Sequence, residues 1–335
     1  MLSFFKSNNP GVVIFYVLYL ALFRICAFFA LPATSFVLHH REPLSAVTFS
    51  FLNKVHADGA AWSLFLSAVL TFIQALIING LINENKVLPK KNYMGGALFI
   101  IISSFFKESL ALSPALISAT FIIICVARLF SLVRKDKAYG DIYDIGFLIA
   151  LASLFYFPVI VFVLPAFIGL ATVRPFSFKE WGAVLTGFLS PLFLLFTWYF
   201  WNDTTGQLIP EVLNLQPGGW LQHAGFSAIN WIMAVSLALV VFIALAFLPA
   251  ALYSSLIQVR KFSGVLVAFI FFTIAGFFMQ SVVNQSHWVL VALPVSVILA
   301  IVMMQIKRRW VSEVIHLILI LLVLAGQYLP ASTFS

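Results

Sequence analysis

The chain has 335 residues, of which 63% are hydrophobic and only 9% are charged, and its mean hydropathy is +1.08. This balance excludes a soluble globular domain and is typical of a polytopic membrane protein. The formal net charge of +8 does not indicate nucleic-acid binding, because the basic residues are dispersed in short loops between apolar stretches. We therefore expect membrane lipids as partners and no nucleic acid.

The first apolar stretch, residues 11–31, follows Lys6 and has no small-residue cleavage site. We interpret it as an uncleaved first span. Arg24 lies inside this stretch. An arginine at membrane depth usually faces the interior of a bundle, so Arg24 is a candidate for substrate binding or for a structural contact with a carbonyl or carboxylate.

A predicted outer loop, residues 32–60, comes next. Apolar residues recur in it at helical spacing, at Leu44, Val47, Phe51 and Val55. This spacing predicts a short helix that lies on the membrane surface.

The centre of the chain is the stretch 146–173, which contains no charge over 28 residues. Basic residues flank it on both sides, and Pro158 and Pro165 interrupt it. The positive-inside rule puts both flanks in the cytoplasm, so the stretch must enter the membrane and return. We predict a pair of short helices with a turn near Phe157 and Pro158, tolerated because it is buried against other helices or lines a cavity.

The apolar pattern predicts about 11 spans in total, counting the short pair as two. The other predicted spans are 11–31, 61–82, 93–106, 110–130, 182–201, 229–252, 264–283, one that ends before Lys307, and 311–329. A second outer loop is predicted at 202–228. The fold class is therefore an all-α transmembrane bundle, with residues 1–335 forming a single transmembrane domain.

The distribution of basic residues predicts the orientation of this bundle. Of the 19 lysines and arginines, fifteen fall in predicted inner segments, and only Arg41, Lys54 and Lys107 fall in outer loops. This asymmetry predicts a multi-pass protein with its N-terminus in the cytoplasm.

The sequence lacks the motifs of soluble nucleotide-dependent enzymes, including G-x-x-x-x-G-K-[ST] and G-x-G-x-x-G. No cofactor can be named from it. The titratable residues concentrate in the predicted outer loops, where Glu42 and Asp58 are candidates for a general base toward a hydroxyl acceptor. Histidines and cations around them could hold a phosphate leaving group. The candidate substrate-binding residues are Arg24, His39, His40, Arg41, Lys54, His56, His223 and His287.

The same loops allow two other interpretations. Their His and Asp side chains could bind a metal ion, but no pair of them has the spacing that is diagnostic of a metal site, so we predict none. An ordinary hydrated loop, with its charges at the level of the lipid headgroups, would carry the same residues without any chemistry.

Parts of the chain resemble an uncharacterised family of multi-span inner-membrane proteins from Bacteroidota. The resemblance is carried by residues 126–158 (VARLFSLVRKDKAYGDIYDIGFLIALASLFYFP), by the turn 90–93 (KKNY) and by the opening 2–5 (LSFF). It covers most of the chain and implies a bacterial inner-membrane location, but no established activity.

The layout also resembles the C-type glycosyltransferase superfamily. The shared features are the uncleaved first span, the large first outer loop, the proline-broken short pair and a Gly/Pro-containing span, GAVLTGFLSPLFLLF. The resemblance implies transfer of a sugar from a polyprenyl-phosphate donor on the outer face. Glu42 or Asp58 would then act as the base, and Arg41 or Lys54 would contact the polyprenyl phosphate.

Three functional hypotheses follow from the sequence. The first is a lipid-linked-sugar-dependent transferase of the cell envelope. The second is a non-enzymatic membrane subunit that scaffolds envelope assembly or secretion. The third is a transporter, in which Arg24 would be essential. The oligomeric state does not follow from the sequence.

Overall fold

The computed structural model describes residues 5, 9–30, 42–55, 59–135, 137–206, 228–253, 255–280 and 285–328. Every regular element in these ranges is helical, which confirms the all-α prediction for this part of the chain. The α-helices are α1 (Val13–Ala30), α2 (Pro43–Val55), α3 (Gly59–Glu84), α4 (Met94–Ser103), α5 (Pro114–Ser131), α6 (Tyr139–Phe155), α7 (Val163–Val173), α8 (Phe178–Trp201), α9 (Ala228–Leu252), α10 (Ile257–Phe277), α11 (Val289–Gln305) and α12 (Arg309–Tyr328). Short 3-10 helices cover Pro10–Val12, Lys107–Leu110, Leu132–Arg134, Phe157–Phe162 and Gln285–Trp288.

Seven helices in the described ranges are long and apolar enough to cross a membrane. They are α3, α5 and α8 to α12, with α11 extended by the 3-10 turn before it. A bilayer core of about 30 Å needs roughly 20 residues of helix, and these seven meet that length. The chain is therefore a multi-pass membrane protein. The other apolar helices are shorter, so the count of about 11 spans stays a prediction.

Helices α4 and α11 form the centre of the bundle and contact each other. All of Met94–Ser103 is buried, and so is α11 from Val289 to Met303. Both helices are apolar on all sides, as expected for a helix surrounded by other helices. In contrast, only 17% of the apolar window of α8 and 22% of that of α9 are buried, so these two helices lie at the periphery of the bundle.

Basic residues gather at one end of the bundle, which we call the basic end. There the Arg174 guanidinium binds the Glu180 carboxylate at 2.9 Å and also donates to the carbonyl oxygens of Leu132 and Lys135. Arg134 donates to the carbonyl oxygen of Glu84 at 2.9 Å. These contacts tie together the connections that follow α3, α5 and α7.

The N-terminal part of the chain lies at the same end. The Phe5 carbonyl oxygen accepts a hydrogen bond from the Tyr93 N–H at 2.8 Å, and Tyr93 immediately precedes α4. The Tyr16 hydroxyl also donates to the Tyr93 carbonyl oxygen at 2.5 Å.

The stretch 146–173 reverses direction inside the bundle. Helix α6 begins at Tyr139, earlier than the predicted 146, and ends at Phe155. The backbone of Tyr156 is extended, and Pro158, which has no N–H to continue α6, lies in the first turn of the 3-10 helix Phe157–Phe162, where a proline is tolerated. Helix α7 then returns to Arg174, whose bonds to Leu132 and Lys135 place it beside the connection that leads into α6. The start of α6 and the end of α7 therefore both lie at the basic end.

Two glycines allow α6 and α8 to pack with their backbones in close approach. A Cβ atom on Gly146 would overlap the carbonyl oxygen of Val184, and one on Gly187 would overlap that of Tyr143. Next to this crossing, the Tyr143 hydroxyl donates to Ser190 Oγ at 2.7 Å. Small residues at such crossings let helices in membranes gain dispersion energy, because lipid provides no hydrophobic driving force between them.

We expect Gly187→Ala to lower the free energy of unfolding by about 1–3 kcal/mol, the usual cost of overpacking. The added methyl group must push α8 away from the Tyr143 carbonyl. The matched control is Gly182→Ala on the same helix, where no atom lies within 4 Å of an added Cβ. Unfolding in mixed detergent micelles measures both variants. Equal stability of the two would contradict the close packing of α6 and α8.

Candidate functional site at the Glu42 end

Glu42 caps the N-terminus of α2 at the end of the bundle opposite to the basic end. Its carbonyl oxygen accepts from the Ala46 N–H at 2.9 Å, and its carboxylate Oε2 accepts from Ser45 Oγ at 3.2 Å. The Ser45 hydroxyl also lies 2.9 Å from the Glu42 carbonyl oxygen. A carboxylate at this position interacts favourably with the helix dipole, so the carboxyl group of Glu42 is held in place. We call this end of the bundle the Glu42 end.

Helix α2 occupies the stretch where apolar spacing predicts a surface helix, and it packs against α6. The side chains of Val47 and Phe51 are exposed. Its position on the membrane surface stays a prediction.

A buried tyrosine–histidine pair lies at the same end. The Tyr156 hydroxyl is 3.0 Å from His287 Nδ1, and His287 Nε2 is 2.8 Å from the Thr273 carbonyl oxygen. A carbonyl oxygen can only accept, so Nε2 carries the imidazole proton. Nδ1 of the neutral ring is then an acceptor, and the Tyr156 hydroxyl must donate to it. The hydrogen bonds thus determine the tautomer of His287 and the direction of the Tyr156 proton.

The surroundings of this pair are apolar and tightly packed. Tyr156 is 7% exposed and His287 is 1% exposed. The rings of Phe277 and Trp288 lie with their centroids 5.9 and 6.1 Å from that of His287. In such surroundings a polar contact is stronger than in water, because the local dielectric is low.

Glu42 and the buried pair lie at the same end of the bundle. The Glu42 carboxylate interacts electrostatically with the Tyr156 hydroxyl. Since the Tyr156 proton points to His287, the remaining lone pair of its oxygen is available to a donor from elsewhere. A carboxylate next to a phenolic oxygen with a fixed proton is an arrangement that can receive a hydroxyl group and take its proton.

Of the residues predicted from the sequence, the structure brings Glu42 and His287 to this site. Lys54 is exposed near the other end of α2. It lies about 18 Å from Glu42 along the helix axis, at 1.5 Å per residue, so the two side chains cannot contact one phosphate group together. Arg24 is buried elsewhere, where it donates to Ser67 Oγ and Thr71 Oγ1 of α3.

The other predicted site residues lie outside the described ranges. They are His39, His40, Arg41, His56, Asp58 and His223. Residues 32–41 and 56–58 of the first predicted loop and residues 207–227 of the second also lie outside the described ranges. Within the described ranges, no group of three His, Cys, Asp or Glu side chains is placed to hold a metal ion.

Sequence reasoning missed Tyr156 and Thr273. Tyr156 directly follows α6, two residues before Pro158, and a polar side chain at that point is the one local signal that could have identified it. Thr273 contributes only its backbone carbonyl, which no sequence pattern reveals.

We expect Tyr156→Phe to lower the free energy of unfolding by about 1–3 kcal/mol, because it leaves the buried Nδ1 of His287 without a donor. Tyr253→Phe removes the same hydroxyl from a side chain that is 87% exposed, and it serves as the control. Unfolding in mixed detergent micelles compares the two. A stability loss of equal size in both variants would show that the Tyr156–His287 bond contributes nothing.

Comparison with known sequences places the chain in a group without an assigned activity. A family model described as "Family of unknown function (DUF6427)" matches residues 44–334. Neither the curated proteins nor the solved structures include a match to the chain. The matched range covers far more than half of the sequence and agrees with the expectation of an uncharacterised family. The chain therefore belongs to this family of unknown function, DUF6427.

Proposed function

We propose that the chain is a membrane-embedded glycosyltransferase that acts at its Glu42 end, with Glu42 as the general base. The observation that carries this proposal is the electrostatic interaction of the Glu42 carboxylate with Tyr156 of the buried Tyr156–His287 pair. The proposed donor is a sugar linked to a polyprenyl phosphate, as the resemblance to C-type glycosyltransferases implies. The acceptor is a hydroxyl group of the cell envelope.

In the proposed reaction Glu42 takes the proton of the acceptor hydroxyl as its oxygen bonds to the anomeric carbon of the sugar. The bond between that carbon and the phosphate oxygen breaks, and the polyprenyl phosphate leaves with the electron pair. Tyr156 is a positioning residue. Its proton is committed to His287, so its oxygen accepts from a second hydroxyl group of the acceptor and thereby orients the reacting hydroxyl toward Glu42.

Of the two cations proposed to contact the donor phosphate, Arg41 fits the site better than Lys54. Arg41 directly precedes Glu42 in the sequence, whereas Lys54 lies at the far end of α2. A guanidinium can also bind two phosphate oxygens at once, which an ammonium group cannot do with the same geometry.

The proposed location is the bacterial inner membrane, with the basic end in the cytoplasm. The ion-paired connections and Phe5 all lie at that end. The positive-inside rule then places the N-terminus in the cytoplasm and Glu42 on the outer side of the membrane. The C-type glycosyltransferases, which the layout resembles, use lipid-linked sugars on that side.

We expect Glu42→Gln to reduce transfer by about 10²–10⁴-fold, the usual contribution of a general base. The amide keeps the size and the helix cap but cannot take a proton. The assay follows release of polyprenyl phosphate from a radiolabelled polyprenyl-phosphate hexose by the purified chain in nanodiscs, with envelope extract as acceptor. Asp203→Asn is the control, since it neutralises another exposed carboxylate beyond the end of α8. Asparagine also tolerates the positive φ of 54° at that position. Activity of Glu42→Gln equal to that of wild type would exclude the proposed base.

Single cysteines test the orientation in intact cells, in a background with Cys26→Ala and Cys125→Ala. We expect a membrane-impermeant maleimide to label Lys107→Cys before lysis, because the Lys107–Leu110 turn lies at the Glu42 end. Lys261→Cys, near the start of α10, should react only after lysis. The opposite pattern would place the Glu42 end in the cytoplasm.

A second candidate function is a non-enzymatic scaffold for envelope assembly or secretion. The exposed apolar surfaces of α8 and α9 favour it, because they are available to partner helices as well as to lipid. A scaffold would tolerate Glu42→Gln in a growth or secretion assay. It would lose its partner when exposed residues of α8, such as Phe193, are changed to alanine.

A further inference from the structure

Arg24 is a buried cation with most of its hydrogen-bonding capacity unused. Its side chain is 7% exposed in the interface between α1 and α3. A guanidinium has five N–H groups. Nε donates to Ser67 Oγ at 3.4 Å and Nη2 donates to Thr71 Oγ1 at 3.1 Å. Nη1 is buried without any hydrogen-bond partner.

The two hydroxyl groups hold the guanidinium in place without neutralising it. Thr71 Oγ1 donates its proton to the Ser67 carbonyl oxygen at 2.7 Å. Ser67 Oγ donates to the carbonyl oxygens of Leu64 and Leu110. Each hydroxyl has only one proton, so both present lone pairs to Arg24 and contribute no negative charge.

No carboxylate forms an ion pair with Arg24 among the residues that the structure describes. Other arginines of the chain differ in this respect, since Arg174 pairs with Glu180 and Arg128 pairs with Asp141. A charged group within a membrane bundle is costly unless an opposite charge approaches it. Arg24 therefore lacks an anion, and the unpartnered Nη1 marks where the anion would bind.

We propose that Arg24 binds the phosphate group of a membrane lipid. The guanidinium fork matches the spacing of phosphate oxygens, and the two unpartnered N–H groups on Nη1 can donate to them. A lipid is preferred over free phosphate because large apolar side chains of α1 and α3 are exposed around this position. They are Ile25 and Phe28 on α1, and Trp62 and Phe65 on α3. The hydrocarbon chains would lie along these side chains while the phosphate reaches Arg24.

The Arg24 site is distinct from the site of Glu42, although both lie toward the same end. Ser67 reaches Leu110 in the turn Lys107–Leu110, and this turn contacts the turn Gln285–Trp288 that carries His287. The turn Lys107–Leu110 thus lies between the Arg24 site and the Glu42 site. Lipid binding at Arg24 does not depend on the transferase reaction proposed above.

The test is equilibrium binding of radiolabelled dioctanoyl phosphatidic acid to the full chain purified in a neutral detergent. We expect Arg24→Gln to raise the Kd at least tenfold. Arg24→Lys keeps the charge but loses the fork, so we expect an intermediate increase. Lys261→Gln removes an exposed cation near the start of α10 and is the matched control, with a Kd within twofold of wild type. An unchanged Kd in folded Arg24→Gln overturns the proposal.

A second measurement on the wild-type chain identifies the part of the lipid that is recognised. Phosphatidic acid should raise the thermal unfolding midpoint, increasingly so as its concentration exceeds the Kd, whereas dioctanoylglycerol, which lacks the phosphate, should not. Inorganic phosphate at the same concentration should also have no effect. An equal rise with dioctanoylglycerol overturns the role of the phosphate, and an equal rise with inorganic phosphate overturns the choice of a lipid. Because no variant is needed, this result stands even if Arg24→Gln fails to fold.

Discussion

The reversal of the chain at Tyr156 is the constraint on which the rest of this bundle depends. A chain that turns inside an apolar bundle must satisfy its own backbone groups, since no bulk water is present to do so. Here the Tyr156 N–H still bonds to the Ala152 carbonyl, and the Val159 N–H bonds to that of Tyr156. Pro158 lies at the one position where a missing N–H is harmless. The same turn points the Tyr156 hydroxyl at His287, so the fold and the candidate site arise from one feature.

The two ends of the bundle differ in how their charges are compensated. At the basic end, Arg174 and Arg128 pair with the carboxylates of Glu180 and Asp141. At the other end, Arg24 is held by two neutral hydroxyl groups and forms no ion pair within the described ranges. Paired charges stabilise a structure, whereas polar groups held in place without a partner of opposite charge are typical of binding and catalytic sites. This contrast is the physical basis for proposing an anion-binding site at Arg24.

Membership of a family without assigned activity gives the local chemistry more weight than the architecture. Helical bundles of this kind serve enzymes, scaffolds and transporters alike, so the fold by itself decides nothing about function. What distinguishes the alternatives is whether Glu42 acts on a substrate and whether Arg24 holds an anion. Both questions concern single side chains, and both can be answered without a relative of known function.

Composition and charge placement alone determined that this chain is helical and crosses a membrane, because an apolar chain must bond its backbone internally and keep its charges outside lipid. They also predicted the proline-broken helix pair in residues 146–173, since prolines act locally. They could not show that Tyr156 meets His287, 131 positions away, or that Lys54 lies a whole helix from Glu42. They could not show that Arg24 is held by Ser67 and Thr71 and pairs with no carboxylate in the described ranges. Such relations depend on how helices pack against one another, and only the tertiary structure decides them.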